Sequence, residues 1–261
     1  MPELPEVETY RKYLEEALYD EKIIAIELER EKILKTDYQV FKKRLVGQKF
    51  ISTKRVGKYL FLELADHSWV LFHFGMTGKV AFYVDEELRP KYSRLVIEFK
   101  GGLKLAFINM RLFGKVLLIK DLDAYLEDNQ LGVDALDIPK SDFIDYVKGR
   151  KSPIKSVLLH QKAFAGVGNW IADEVLFQAR IYPNTNCKKL SDQELELIHE
   201  KMMEVLQVSV DKQADYHKFP DHFMVQHRWG DGNCPLCGKK MNKMKIGGRG
   251  TYYCEREQKQ I

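Results

Sequence analysis

The chain lacks any apolar run approaching the ~18 residues of a membrane-spanning helix, so no transmembrane segment is expected. Its first residues lack a basic stretch followed by an apolar one, so no signal peptide is expected, and the default compartment is the cytoplasm in a bacterium or the nucleus or an organelle in a eukaryote. Cysteine is scarce: Cys187, Cys234, Cys237 and Cys254 are the whole set in 261 residues. In a reducing compartment a C-x-x-C pair points to a metal before a disulfide. Net charge is nearly absent as well, at +4, so the total says little about partners. What remains is ordinary for a soluble globular protein: 45% apolar and 31% charged residues, at a length that allows two domains or one large one.

The distribution of charge is more informative than its sum. Residues 220–261 hold eight Lys/Arg against four Asp/Glu. Residues 148–162 hold Lys148, Arg150, Lys151, Lys155 and Lys162 with no acid. Two local basic zones on a balanced chain fit a polyanionic partner. A solvated helix face explains either zone taken alone.

The first seven residues, MPELPEV, carry two readings. If Met1 is removed, Pro2 presents a secondary amine with Glu3 and Glu6 close by in sequence. Ordinary α-amino groups titrate near 7.7–8.0, so part is unprotonated at neutral pH. Such an amine attacks an aldehyde-like carbon, and a secondary amine then gives a cationic iminium, an electron sink. Glu3 is placed to pass protons as general acid/base. The other reading is a helix start, where proline and acids are favoured.

The remainder reads as strands followed by helices. Val7, Tyr10, Leu14 and Leu18 share one face of a helix from Pro5 to about Tyr19. Residues 22–30 alternate like a strand, and 49–65, 68–84 and 94–119 continue in β-rich pieces, with Gly101 and Gly102 as a two-residue hairpin turn. The pattern predicts an antiparallel β-sandwich or barrel over 20–119 with the first helix beside it. Residues 120–140 are acidic and read as an irregular linker. Helices are expected over 143–148, 153–164 and 170–179, the last opened by a Gly-rich turn at 165–169 that offers free N–H groups to an anion, read as a DNA phosphate because the preceding helix is basic. Ser191 and Glu194 form a capping box, with Leu190 stapled onto Leu195, ahead of a long amphipathic helix on which His199 is read as a polar-face residue. Residues 216–233 form a polar, aromatic connection.

Three loops in the β-rich half stand out: 54–59, 73–78 and 109–114. Glycine beside Met76, Arg111 and Phe113 suggests exposed turns with bulky tips that wedge into a base stack. The alternative makes Met76 and Phe113 ordinary core residues. Near the C-terminus, Cys234 and Cys237 open a knuckle and sixteen residues separate Cys237 from Cys254, a zinc-ribbon spacing. A complete second pair requires cysteine at 257, where this chain has Glu257. A Cys3Glu zinc site and a metal-free hairpin are the competing readings.

PELPEVE at 2–8, GVGNWIADE at 166–174 and CPLC with GRGTYYC at 234–254 together resemble the formamidopyrimidine-DNA glycosylase / endonuclease VIII family of base-excision repair enzymes, in the family's order and spacing over essentially the whole chain. The resemblance implies an α+β multidomain fold. Residues 2–119 would be a catalytic β-sandwich domain with its flanking helix, 120–140 a linker, 141–215 a helix-two-turn-helix DNA-binding domain, and 216–261 a zinc-finger-like β-hairpin. Damaged or abasic double-stranded DNA would lie in the cleft between halves. It further implies a monomer, structural zinc, no redox cofactor and, in a bacterium, work at the nucleoid.

By matching motif, the resemblance makes Pro2 the nucleophile at C1′ of the damaged nucleoside and Glu3 the acid that aids ring opening. Lys58 would contact a lesion-flanking phosphate and assist catalysis, while Glu6 and Glu174 would orient the amine. Met76, Arg111 and Phe113 match the wedge. Asn169 and Arg249 match phosphate contacts, and Lys155 in the basic zone is expected at DNA too. Cys234, Cys237, Cys254 and Glu257 are the candidate metal ligands. The implied enzyme is a bifunctional glycosylase and abasic-site lyase acting by β,δ-elimination. The alternative is a DNA-binding protein that kept the scaffold and lost catalysis. Two further departures bear on substrate: Leu112 stands where the family often has arginine, and the segment at 212–228 reads as short. The expected preference is for formamidopyrimidines, oxidised pyrimidines and hydantoins over 8-oxoguanine.

Overall fold

The alternation in the N-terminal half becomes eight strands in a computed structural model that describes residues 1–18, 21–228 and 232–260. By contacts the chain divides into two units, Met1–Pro2 with Glu6–Gln130, and Glu3–Pro5 with Leu131–Ile261. Tyr19, at the end of the expected first helix, and 229–231, within the 216–233 connection, lie outside the described residues.

In the first unit the strands are β1 (Ile23–Leu28), β2 (Phe50–Val56), β3 (Tyr59–Leu64), β4 (Trp69–His73), β5 (Lys79–Tyr83), β6 (Ser93–Phe99), β7 (Lys104–Ile108) and β8 (Lys115–Ile119). They form two antiparallel sheets, ordered β2-β3-β4-β8 and β1-β6-β7-β5. Successive side chains point to opposite faces of a strand. Leu60, Leu62 and Leu64 from one sheet therefore meet Ile97, Phe99, Leu105 and Phe107 from the other in one core. This is the expected sandwich. Val7, Leu14 and Leu18 of α1 (Leu4–Leu18) join that core.

Three local differences from the sequence reading have physical causes. An unanticipated helix, α2 (Tyr38–Leu45), is capped by Asp37, which accepts from the Val40 N–H at 3.0 Å. Eight residues are too few for a stable isolated helix, but Phe41 and Leu45 are fully buried, each contributing roughly 1.5–3 kcal/mol. The presumed linker holds α3 (Leu122–Asp128), whose Leu122 covers Phe61 and Leu71 on the outer face of the first sheet. That cover is why β3 is buried on both faces. The turn between β6 and β7 has three residues, because the Phe99 N–H bonds to the Leu103 carbonyl at 2.9 Å and Gly102 takes the left-handed position.

The second unit is helical with one hairpin. It contains α4 (Lys140–Lys148), α5 (Ile154–Leu158), α6 (Asn169–Gln178), α7 (Asp192–Asp211), β9 (Asn242–Ile246) and β10 (Arg249–Tyr253). The helix expected over 153–164 stops at Leu158. Beyond it Gln161 takes over the backbone, donating to the Leu159 and Val167 carbonyls at 3.1 and 2.6 Å and accepting from the Gly166 N–H at 3.3 Å. The Ser191–Glu194 capping box is present, with Leu190 and Leu195 in the core below it. His199 departs from its polar-face assignment. It is buried, bonded to the Ile138 carbonyl at 3.0 Å and set edge-on to Phe143, because α4 packs against that side of α7.

Candidate active site

Glu3 follows Pro2 directly and has a fixed seat. Its carboxylate accepts the Trp170 and Ile171 N–H groups at 3.1 and 3.2 Å, at the start of α6. The first N–H groups of a helix have no partner within it and carry the positive end of the dipole. The GVGNW turn thus receives an anion, but that anion is the chain's own Glu3 where the sequence reading placed a DNA phosphate. Gly168 is obligatory for the approach: a Cβ there would stand 2.0 Å from the Glu3 carboxyl carbon. Pro2 is half-buried, and with Met1 in place its nitrogen is an amide.

Lys58 sits in the turn between β2 and β3, in the first unit. Arg55 braces this turn, accepted by Glu8 at 2.8 Å and by the Gly57 carbonyl at 3.4 Å. Burial opposes the charge on Glu8, but hydrogen bonds from Arg11 and Arg55 outweigh it and hold the carboxyl below its usual range. His73 also stands near Lys58. Burial first, then the charges of Lys115 and Lys58, push its pKa down to about 4, so the ring is neutral at physiological pH. Its Nδ1 accepts the Gly75 N–H at 3.3 Å. The proton of the neutral ring is therefore on Nε2, which makes His73 a second donor beside the Lys58 ammonium.

The wedge loops are exposed, against the core alternative: Met76 is 45% and Phe113 58% accessible. Arg111 is exposed too, with Nη1 3.8 Å from the Met76 sulfur. One buried residue ties both loops together. Asn109 donates to the Phe74 carbonyl at 3.1 Å and accepts the Gly114 N–H at 3.3 Å. The backbones then approach so closely that a Cβ on Gly75 would meet Phe113 at 2.4 Å. Leu112, in the place of an expected arginine, has φ +56 and packs against the sandwich core. The roles of His73, Asn109, Glu8 and Arg55 rest on contacts made only in the folded chain, although His73 and Asn109 begin two of the segments singled out.

The C-terminal hairpin is anchored to α5 and α6. Lys155 corrects its assignment to DNA. Its ammonium is fully buried and spends its three donors on Asp173 Oδ1 at 2.7 Å, the Gly250 carbonyl at 3.0 Å and Thr251 Oγ1 at 2.7 Å. Asn169 donates to the Gly250 carbonyl at 2.9 Å. Asp173 also accepts from Arg228 at 3.1 Å and from the Tyr252 N–H at 3.3 Å. Arg249 is exposed at the start of β10.

Glu174 does not take up the orienting role expected of it, since its carboxylate is fully buried and already engaged. It accepts from the Met224 and Val225 N–H groups at 3.0 and 2.7 Å and from Gln178 at 2.7 Å, capping the short turn Met224–His227. Burial pushes its pKa up to about 7, with those hydrogen bonds pulling the other way. The folded state thus binds a proton that the unfolded chain has released above about 4.5. Stability contributed by this group is expected to fall as pH rises from about 4.5 to 7, by at most about 1.4 kcal/mol per pH unit. Glu174→Gln should flatten that slope in melting temperature measured against pH; a variant with the wild-type slope would contradict the assignment.

Cys234, Cys237 and Cys254 form a cluster that could hold a metal ion, their sulfurs all within 4.8 Å of one another. The Cys237 and Cys254 sulfurs are 3.5 Å apart, near the roughly 3.8 Å that two thiolates span on a tetrahedral ion with ~2.3 Å bonds. Glu257 is not part of the cluster. It pairs with Arg180 at 2.7 Å, and the neighbouring Gln258 ties the Cys254 N–H to the Ile181 carbonyl at 2.8 and 2.9 Å. Cys187 is buried elsewhere, where burial raises its thiol to about 11.

Residues 1–116 match the family described as formamidopyrimidine-DNA glycosylase N-terminal domain, and 131–220 match its H2TH domain. A formamidopyrimidine-DNA glycosylase of Arabidopsis thaliana is 35% identical over 99% of this chain and 71% of its own length. One from Streptococcus pyogenes serotype M3 is 34% identical over 99% of both chains. The fold is similar to the crystal structure of the Lactococcus lactis enzyme bound non-covalently to DNA containing an abasic site, at a TM-score of 0.89 and 30% identity, covering 99% of this chain and 100% of that one. Among the described residues, no helix is long and apolar enough to cross a membrane.

Proposed function

The chain belongs to the formamidopyrimidine-DNA glycosylase family, and from that premise we propose that it excises oxidised bases from duplex DNA and then cuts the strand as an abasic-site lyase. The observation that carries this reading is the seat of Glu3 on the first N–H groups of α6, one residue from Pro2. No binding function needs a carboxylate locked beside a latent secondary amine.

Once Met1 is removed, the Pro2 nitrogen attacks C1′ and the base leaves with the electrons of its glycosidic bond. Glu3 supplies the proton that opens the sugar ring. Loss of the ring oxygen bond leaves a cationic iminium between Pro2 and C1′, which acidifies the adjacent C–H. β-Elimination then expels the 3′ phosphate, and δ-elimination the 5′ phosphate. Lys58 and neutral His73 offer a cation and an N–H donor to a backbone phosphate, and Asn169 and Arg249 serve the same purpose in the second unit. Such contacts position without reading sequence. Met76, Arg111 and Phe113 fill the gap left by the everted nucleotide. The cysteine trio would hold zinc, whose contribution is to fix the hairpin that carries Arg249.

Formamidopyrimidines, oxidised pyrimidines and hydantoins are the favoured substrates in this reading, ahead of 8-oxoguanine. A panel of duplexes, each with one such lesion, tests it under single-turnover conditions. The expected result is at least about tenfold faster cutting of the first three, a preference of ~1.4 kcal/mol in barrier, with phosphate on both new ends. Fastest cutting of 8-oxoguanine overturns the preference. Tight binding with no cutting of any duplex favours the inactive binder.

A further inference from the structure

Three thiolates do not complete a structural zinc site, which takes four protein ligands in a tetrahedron. Among the described residues, no histidine, aspartate or glutamate joins Cys234, Cys237 and Cys254 within 4.8 Å. The place of the fourth ligand is nevertheless marked in the backbone, because the turns before β9 and after β10 share one form. In the first, the Gly238 N–H closes onto the Cys234 carbonyl at 2.9 Å, and Cys237 is the third residue after Cys234. In the second, the Gln258 N–H closes onto the Cys254 carbonyl at 2.9 Å, and Glu257 is the third residue after Cys254. Glu257 thus stands where the first turn puts its second thiol.

Its carboxylate is engaged elsewhere. Arg180, just past the end of α6, holds it at 2.7 Å. The backbone on either side of Glu257 is fixed to the same segment. The Gln258 side chain links the Cys254 N–H to the Ile181 carbonyl. The Lys259 N–H donates to the Arg180 carbonyl, and the Lys259 carbonyl accepts the Tyr182 N–H, each at 3.2 Å. A glutamate stem also carries its oxygens beyond the point that a cysteine sulfur reaches. The surroundings of the thiols supply no substitute. Phe177, Met224 and Met241 pack against Cys234 and Cys254, but zinc draws its ligands from thiolates, imidazoles and carboxylates, so the methionines are cover and not donors. Cys237 is only half-buried, so solution reaches the group from its side.

We infer that the hairpin metal is held by three thiolates and keeps an exchangeable fourth position, open to a small donor from solution, a thiolate or an imidazole. This rests on the zinc reading of the cysteine trio given above. An open position is the arrangement of catalytic zinc sites, whereas structural sites are closed. The grip on the metal at this hairpin then depends on small donors in solution, to which a four-thiolate site is indifferent.

The test uses the full-length protein, stripped of zinc and reloaded with cobalt(II), whose absorption reports its ligands without DNA or catalysis. The probes are β-mercaptoethanol and imidazole, and the variants are Glu257→Ala and Glu257→Cys. Wild type and Glu257→Ala are expected to share one spectrum. In both, β-mercaptoethanol should raise the thiolate-to-cobalt charge-transfer band by about one-third, the ratio of four sulfurs to three, and imidazole should shift the visible bands. Glu257→Cys is expected to start at the raised intensity and to ignore both probes. Reloaded with zinc, it should lose the metal to a chromophoric chelator at least about ten-fold more slowly than wild type. A wild-type spectrum that differs from Glu257→Ala and ignores both probes makes Glu257 the fourth ligand and overturns the inference. Cobalt uptake by Glu257→Cys but not by wild type overturns it too, because three thiolates then do not suffice. If neither protein takes up cobalt, the zinc reading itself fails and the inference falls with it.

Discussion

A protein that keeps Met1, as Pro2→Gln does because a bulky second residue blocks methionine removal, is expected to lose strand cutting by on the order of 10³-fold or more. Its N-terminal nitrogen is one residue out of place, and the nitrogen at position 2 is an amide with no nucleophilic lone pair. Pro2→Gly separates two parts of the effect. Glycine allows methionine removal and leaves an amine in the same place, but a primary one. Its adduct can lose a proton to become a neutral imine, and elimination then needs that proton restored. A loss of about 10²-fold is expected, the low end of a general-acid contribution. Single-turnover cutting of an abasic duplex measures both variants. Wild-type rates in Pro2→Gln would remove the amine from the mechanism. Neither substitution removes a partner of Glu3, which sits 3.1 and 3.2 Å from the Trp170 and Ile171 N–H groups, so the comparison bears on the nucleophile.

The other large effect is expected at Lys155, in stability before binding. Lys155→Met leaves Asp173 with Arg228 and the Tyr252 N–H, leaves the Gly250 carbonyl with Asn169, and takes from the Thr251 hydroxyl the ammonium that donates to it. Breaking a buried pair from one side costs roughly 3–5 kcal/mol, which corresponds to about 10 °C in melting temperature for a chain of this size. Burial lowers the Lys155 pKa and raises that of Asp173, which marks the site as one where charge is held only by pairing. Lys155→Met with Asp173→Asn should cost less than the two single changes summed. A phosphate-contacting lysine behaves otherwise: its loss leaves stability unchanged and lowers the salt dependence of DNA binding by about one ion. That outcome would restore the assignment made from sequence.

The contrast at Lys155 shows what a sequence exposes and what it hides. The basic zone at 148–162 was legible, but burial was not. Lys155 is separated from its partners Asp173 and Gly250 by eighteen residues or more, so nothing local distinguishes a solvated lysine from one enclosed by a hairpin. Glu174 was hidden for the same reason: its partners at 224 and 225 are fifty residues on. Local signals fared better. The capping box at Ser191, the β alternation and the cysteine spacing are set by neighbours in sequence, and the structure contains all three. α2 escaped notice because its helicity depends on burying Phe41 and Leu45 against distant strands. Glu257 stands where the finger's pattern calls for a fourth thiol, but its alternative partner Arg180 is invisible until the chain is folded. The tips Met76 and Phe113 were legible as exposed turns. Asn109, which holds them, was not, since a buried asparagine reveals its role only through the four atoms it bonds.

The most direct measurement is borohydride trapping of the processed protein on an abasic duplex, followed by mass mapping of the adduct. Reduction freezes an iminium as a stable amine link between protein and DNA. The account predicts one adduct, carried on the N-terminal peptide at Pro2 and absent from Pro2→Gln. An adduct mapped to a lysine such as Lys58, or persisting undiminished when Met1 is retained, would contradict it.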